Sequence, residues 1–228
     1  MRQEPASPHS LSIELVGDDV RASRQAYRAL LGTPDVDSFT VDNAAVRVES
    51  GEGDRGHRVV FGTDDYEATS RLWRRRGLAL TEAAAGRALA EREPVGISAG
   101  VERLSHVGPD ITAIDHLVFD APTRDGAVAL FGATLGLDFR LEQAIFDDAI
   151  QLFFRGPAVV IEVLVRRDAP EQTTLWGIAW RSEDIDATHG RLNDEGLALS
   201  PIRDGRKPGT RVFSVKETAL VVPTLVIS

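Results

Sequence analysis

Any side-chain chemistry done by this chain must come from histidine, carboxylate, hydroxyl, amide, lysine or arginine groups, because its 228 residues include no cysteine. That composition excludes disulfides, thiolate nucleophiles and Cys-ligated metals. His9, His57, His106 and His189 form no metal-binding spacing, and His57 reads as a surface residue. There is no Gly-rich phosphate loop, no Gly-x-Ser-x-Gly elbow and no HExxH helix, so nucleotide cofactors and serine hydrolysis have no support. The chemistry still open is proton transfer and polar anchoring. A neutral imidazole beside a buried carboxylate suits both, since the carboxylate raises histidine basicity and burial raises the carboxylate's own pKa. Which histidine and which carboxylate could meet depends on the elements that hold them.

Those elements come from a duplication. DYEATSRLWRRRGLALTEAAAGRALAER, over 65–92, and DIDATHGRLNDEGLALSPIRDGRKPGTR, over 184–211, align without a gap. Asp65 matches Asp184, Thr69 matches Thr188, Gly77 matches Gly196, and the Leu-Ala-Leu triplets coincide. Self-similarity at a fixed offset sets the architecture before any residue has a role. Each half divides again. Four apolar extended stretches (11–16, 58–62, 114–119, 175–180) each lead through a short acidic turn into an amphipathic helix (20–31, 66–76, 124–135, 185–195). In the third helix Val128, Phe131 and Leu135 recur at helical spacing and Gly136 supplies the stop. Alternating or β-branched runs follow at 38–41, 45–49, 150–154, 159–165, 211–215 and 221–227. The unit is β-α-β-β-β, present four times, with the second copy eroded near 91–102 and a longer insert in the second half around 141–156.

Tandem units in which IDHLVF opens one, VVIEVLV closes it and LWGIAWRSEDIDA opens the next resemble the glyoxalase, bleomycin-resistance and extradiol dioxygenase group, the vicinal oxygen chelate superfamily. The resemblance covers 111–228 most fully and reaches 11–100 through the internal repeat. It implies an α+β fold of four tandem βαβββ units paired into two cup-shaped half-barrel domains. The domains would be 11–108, degenerate, and 109–228, after a disordered lead-in over 1–10. The resemblance also implies four cup-facing metal slots, on the first and last strands of each paired unit. In the C-terminal half they fall on His116, Glu162, Gly177 and either Leu225 or Thr224; in the N-terminal half Ser12, Arg47 and Arg58 stand nearest. Two liganding side chains rarely hold a catalytic ion against water. The expectation is therefore no cofactor, with a divalent metal on His116 and Glu162 as the lesser option. Without a metal, His116 and Glu162 are left either as a proton-transfer or anchoring pair, or as a vestigial pair bonded to each other.

Several further residues are placed by the same slots. Gly177, with Ala179, gives a small-residue floor, whereas Ile178 and Trp180 pack under the helix. Arg181 meets either an anionic ligand or an acidic rim residue, and Arg211 could point inward. Of Phe153 and Phe154, one faces the cup and one faces away. Asp147 and Asp148 belong to a loop at the cup mouth, and 74–76 is the exposed side of a helix. The net charge of −9 argues against nucleic acid, which requires clustered cations. No apolar run approaches the roughly 18 residues of a membrane span. With a polar N-terminus that reads as no signal peptide, the expected setting is the cytoplasm, as a monomer or homodimer. Three functions compete: capture of a small organic molecule without a catalytic metal; a metal-independent lyase, isomerase or epimerase using His116 and Glu162; or a structural or regulatory module with no ligand.

Overall fold

The structure is a computed structural model that describes residues 10–34, 37–51, 56–100, 104–146 and 149–228. The expected lead-in, Ser10 apart, and Asp147 and Asp148 lie outside the described residues. The fold is α+β, with helices interleaved among the strands of two sheets. The first repeat holds β1 (Ser10–Gly17), α1 (Val20–Leu31), β2 (Phe39–Val41) and β3 (Ala44–Ser50). The second holds β4 (Arg58–Thr63), α2 (Tyr66–Arg75), β5 (Leu80–Ala84), β6 (Arg87–Ala90) and β7 (Val95–Ala99). In the third, β8 (Ile111–Asp120) is followed by α3 (Arg124–Ala127), β9 (Asp138–Phe146), β10 (Ala149–Arg155) and β11 (Val160–Arg166). The fourth comprises β12 (Thr174–Ser182), α4 (Ile185–Asp194), β13 (Arg203–Asp204), β14 (Arg211–Val215) and β15 (Thr224–Ile227).

The repeated residues turn out to be the ones that start and stop each helix. Asp19, Asp65, Thr123 and Asp184 are the N-caps, and their side chains accept from Ala22 N at 2.9 Å, Ala68 N at 2.9 Å, Gly126 N at 3.1 Å and Ala187 N at 3.0 Å. Each satisfies a backbone donor that has no partner within its helix. Thr69 and Thr188 sit one turn in and tie the helix to the end of the preceding strand, with Thr63 at 3.3 Å and Ser182 at 2.7 Å. Both hydroxyl pairs are buried, so each has to be satisfied internally. Gly77 (φ 98°) and Gly196 (φ 83°) adopt the left-handed conformation that ends α2 and α4.

The strand orders are β2-β3-β1-β4-β7-β6-β5 and β13-β14-β15-β12-β8-β11-β10-β9, so consecutive repeats share a sheet. The first and last strands of a repeat run parallel, β4 with β7 (Val60 opposite Gly96) and β12 with β15 (Ile178 opposite Thr224). Parallel neighbours require a crossover, and the helix supplies it.

Three local expectations differ from what is found. The stretch expected as an insert around 141–156 is mostly β9 and β10, an antiparallel pair with Gln143 opposite Gln151. Its β character was masked by polar residues alternating with Phe139, Leu141 and Ile145. The region near 91–102 carries the regular strand β7, whose Val95 and Ile97 are fully buried. The third helix is α-helical only to Ala127 and then winds as a π-helix over Val128–Thr134, with Leu135 N donating to Leu130 O at 2.9 Å. On that segment Phe131 packs against Phe119 at 5.0 Å and Phe154 at 5.6 Å between ring centroids. Gly132, which brings no side chain, faces the Phe154 ring.

By packing, the chain divides into two compact units that combine repeats from different sheets. The first comprises Met1–Ser12, His57–Glu102 and Val118–Leu175; the second comprises Ile13–Gly56, Arg103–Leu117 and Trp176–Ser228. Within the first, Arg76 Nη1 donates to Thr134 O at 3.2 Å, joining the second and third repeats. The second is joined more heavily. Tyr27 donates its hydroxyl to Leu220 O at 2.9 Å, Asn43 exchanges two hydrogen bonds with the backbone of Ile114, and Arg191 reaches Ala29 O at 2.7 Å and Leu30 O at 3.2 Å.

Candidate functional site

In the first unit, one face of β9, β10 and β11 carries a polar row on an apolar ground. Glu162 lies opposite Phe153, Leu164 opposite Gln151, Leu141 opposite Phe153 and Gln143 opposite Gln151. Residues directly opposed, or two apart on a strand, share a face. Gln143 Nε2 donates to Gln151 Oε1 at 2.7 Å, and Gln151 Nε2 donates in turn to Glu162 Oε1. A carboxylate only accepts, so Glu162 fixes which way each amide points. Gln151 is 4% exposed and Glu162 is half-buried, which leaves the row sheltered yet reachable at Glu162.

Phe153 and Phe154 separate as alternation requires. Phe154 is fully buried and packs against Phe131 and against Phe139 at 5.2 Å. Phe153, half-buried, shares the face of Glu162. Gln143 and Gln151 were missed by reasoning from sequence. The available signal was a single amide in the apolar run AIQLFF, two residues before Phe153.

In the second unit, His116 is half-buried on β8, and its Nδ1 lies 2.9 Å from Asp115 Oδ2. Asp115 Oδ1 accepts from Arg181 Nη2 at 3.0 Å. The His116 hydrogen bond, with the Arg181 charge behind it and burial opposing, holds the Asp115 carboxyl down at about 2. Asp115 is therefore ionised at neutral pH and accepts the Nδ1 proton. Arg181 is thus a rim partner of an acidic residue, and Arg211 likewise pairs with Asp186 on the exposed surface.

The remaining slot positions hold no strong metal ligand. A Cβ added at Gly177 would come within 2.9 Å of the Pro223 carbonyl oxygen, so backbone already occupies the space beside it. Thr224 is 4% exposed and spends its hydroxyl on Val222 O at 3.0 Å, and Leu225 is half-buried and apolar. Among the described residues no three His, Asp or Glu side chains are grouped as a metal ion requires. The donor set does not fit a catalytic metal of the kind that the resemblance implied. In the N-terminal half, Arg58 donates to Ala90 O at 2.9 Å. The other described histidines have structural partners: His106 pairs with Asp42 at 2.9 Å, and His189 meets Ser200 O at 3.0 Å and stacks edge-on with Phe213. His57, expected at the surface, is half-buried, and burial lowers its pKa.

Residues 115–213 match the family model described as Glyoxalase/Bleomycin resistance protein/Dioxygenase superfamily. No curated protein sequence matches the chain. In fold, the chain is similar to a triple mutant of 4-hydroxymandelate synthase from Streptomyces coelicolor. The TM-score is 0.73 at 11% identity, covering 98% of this chain and 92% of that one. It is also similar to a xylose isomerase-like TIM barrel/4-hydroxyphenylpyruvate dioxygenase fusion protein, with a TM-score of 0.69 at 10% identity, covering 98% of this chain and 50% of that one. Methylmalonyl-CoA epimerase from Mycobacterium tuberculosis matches with a TM-score of 0.44 at 20% identity, covering 51% of this chain and 87% of that one. At such identities the likeness concerns the fold alone.

Proposed function

We propose that the chain is a member of the glyoxalase, bleomycin-resistance and dioxygenase superfamily, whose model matches residues 115–213, and that it binds a small organic molecule on the β9–β11 face without a catalytic metal. The observation that carries this reading is the row Gln143, Gln151, Glu162. A buried amide that orients a half-buried carboxylate beside Phe153 and Leu164 combines an apolar surface with one directed polar anchor, the composition of a small-molecule site. The preferred ligand is apolar or aromatic, with a hydroxyl, amine or amide that donates to Glu162. The family match supports small-molecule binding in general terms; the anchor residues come from this chain's own geometry.

A second reading rests on the Asp115–His116 pair. A carboxylate that fixes the tautomer of an imidazole is the arrangement a general base needs. In this reading the protein is a metal-independent lyase, isomerase or epimerase acting near a carbonyl, with His116 as the proton-transfer group and Asp115 as its positioning partner.

The test is native mass spectrometry and metal analysis of the purified, untagged protein and its variants. An organic passenger that is bound by wild type and lost in Gln151→Leu and Glu162→Gln, with His116→Ala unaffected, is the expected result. Turnover abolished by His116→Ala moves the weight to the second reading. Stoichiometric metal that disappears in Glu162→Ala or His116→Ala overturns the metal-free proposal.

A further inference from the structure

A second candidate site lies on α1 in the second unit. Arg21, Arg24 and Arg28 recur at helical spacing on its outward face, while Ser23, Ala26, Tyr27, Leu30 and Leu31 face inward and are buried. The three arginines line an open groove of about 810 Å³ whose apolar lining includes Val20, Ala29 and Pro34. Like charges three and four residues apart weaken a helix, and α1 has no acidic residue to compensate them. In a chain with 35 acidic and 26 basic residues, such a stripe is a local reversal of the overall charge.

The acids at the groove do not neutralise it. Asp37 is taken up by Arg24 at 3.0 Å, and Glu195 lies 3.5 Å from Arg191. Arg21 and Arg28 have no ion-pair partner among the described residues, and stand about 10 Å apart along the helix axis. The arginines of α2 contrast with these. There Glu67 stands one turn before Arg71, and Arg74 pairs with Glu82 at 3.2 Å.

We propose that this groove binds an organic phosphate, its phosphate held by Arg21 and Arg28 and its apolar body lying along Val20, Ala29 and Pro34. Guanidinium groups match phosphate oxygens with paired hydrogen bonds, and the groove's volume suits a small molecule. The site is formed from residues of the second unit only and does not depend on the β9–β11 reading.

Phenyl phosphate titrated by calorimetry tests it, with phenol and inorganic phosphate as comparison ligands. Saturable one-to-one binding to wild type that weakens by about tenfold or more in R21Q/R28Q is expected. R71Q/R75Q, which removes the same charge from α2, and Glu162→Gln should both bind as wild type does. All four arginines are exposed, so both double variants should keep the fold, which circular dichroism checks. Absence of saturable binding, or equal weakening in R71Q/R75Q, overturns the site. Inorganic phosphate binding as tightly as phenyl phosphate overturns the organic body.

Discussion

Each of the two units contains a shielded arginine–aspartate pair, and the two pairs are built differently. In the second unit Arg191 grips Asp110 with two hydrogen bonds, Nε to Oδ2 at 2.8 Å and Nη2 to Oδ1 at 2.7 Å, and uses its remaining donors on Ala29 O and Leu30 O. Asp110 and Arg191 side chains are only 12% and 22% exposed. In the first unit Arg166 reaches Asp120 through a single nitrogen, and buried Asp120 Oδ1 and Arg166 Nε have no hydrogen-bond partner. Burial pushes the Asp120 pKa up despite the Arg166 charge. A desolvated ion pair stabilises a fold only when its geometry is good and its other polar atoms are satisfied. The second unit meets that condition, and the first does not. The difference teaches that Arg191 ties the fourth repeat to the first through Ala29 O and Leu30 O while holding Asp110, whereas Arg166 and Asp120, both in the third repeat, tie no two repeats together.

The sharpest way to break this comparison is Arg191→Ala. It leaves Asp110 charged without its partner and deprives the last carbonyls of α1 of their donor, so a loss of about 3–5 kcal/mol in urea denaturation is expected. Next comes Asp115→Asn, also in the second unit. The Asp115 carboxyl is depressed in the folded state, so its contribution is present above the ordinary carboxylate value near 4 and fades as pH falls through about 2. The variant should be less stable than wild type by on the order of 2 kcal/mol at pH 7 and equal to it near pH 2.

Asp120→Asn should behave in the opposite sense. A carboxyl raised by burial weakens the folded state above its raised pKa, and the penalty disappears as pH falls below the ordinary value. Stability at pH 7 should therefore change by less than about 1 kcal/mol, or increase slightly, because an amide tolerates burial better than an ion does. A loss at pH 7 comparable to that of Arg191→Ala would erase the distinction between the units. The smallest effect belongs to Arg76→Ala. Its 3.2 Å hydrogen bond to Thr134 O comes from an exposed side chain, and about 0.5–1 kcal/mol is expected from thermal unfolding.

Much of the local architecture was legible in the residues. The repeated Asp and Thr at 65, 69, 184 and 188 are a cap and a strand-to-helix hydroxyl tie, which act over a few residues and so leave a local pattern. The helix over 20–31 and the strand over 211–215 fall where periodicity places them. The winding of Val128–Thr134 was not legible, because the 3.6 and 4.4 residue periods barely separate over seven residues and the packing of Phe131 between Phe119 and Phe154 comes from distant strands. His116 and Glu162 were found by resemblance, since one polar residue in an apolar strand does not declare its partner. Their partners, Asp115 and Gln151, are set by side-chain orientation and strand register, which leave no local pattern.

By itself the sequence determined the α+β class, the fourfold recurrence of strand, helix and strands, and the helix starts, because these depend on alternation and capping that operate within a few residues. The absence of thiol chemistry was equally settled by composition. Tertiary structure decided the rest: which repeats share a sheet, which share a packing unit, that Pro223 fills the space beside Gly177, and that Gln143 and Gln151 orient Glu162. Those outcomes depend on register and on contacts between residues far apart in the chain. No local preference encodes such contacts; burial of apolar side chains and pairing of buried polar atoms select among the alternatives.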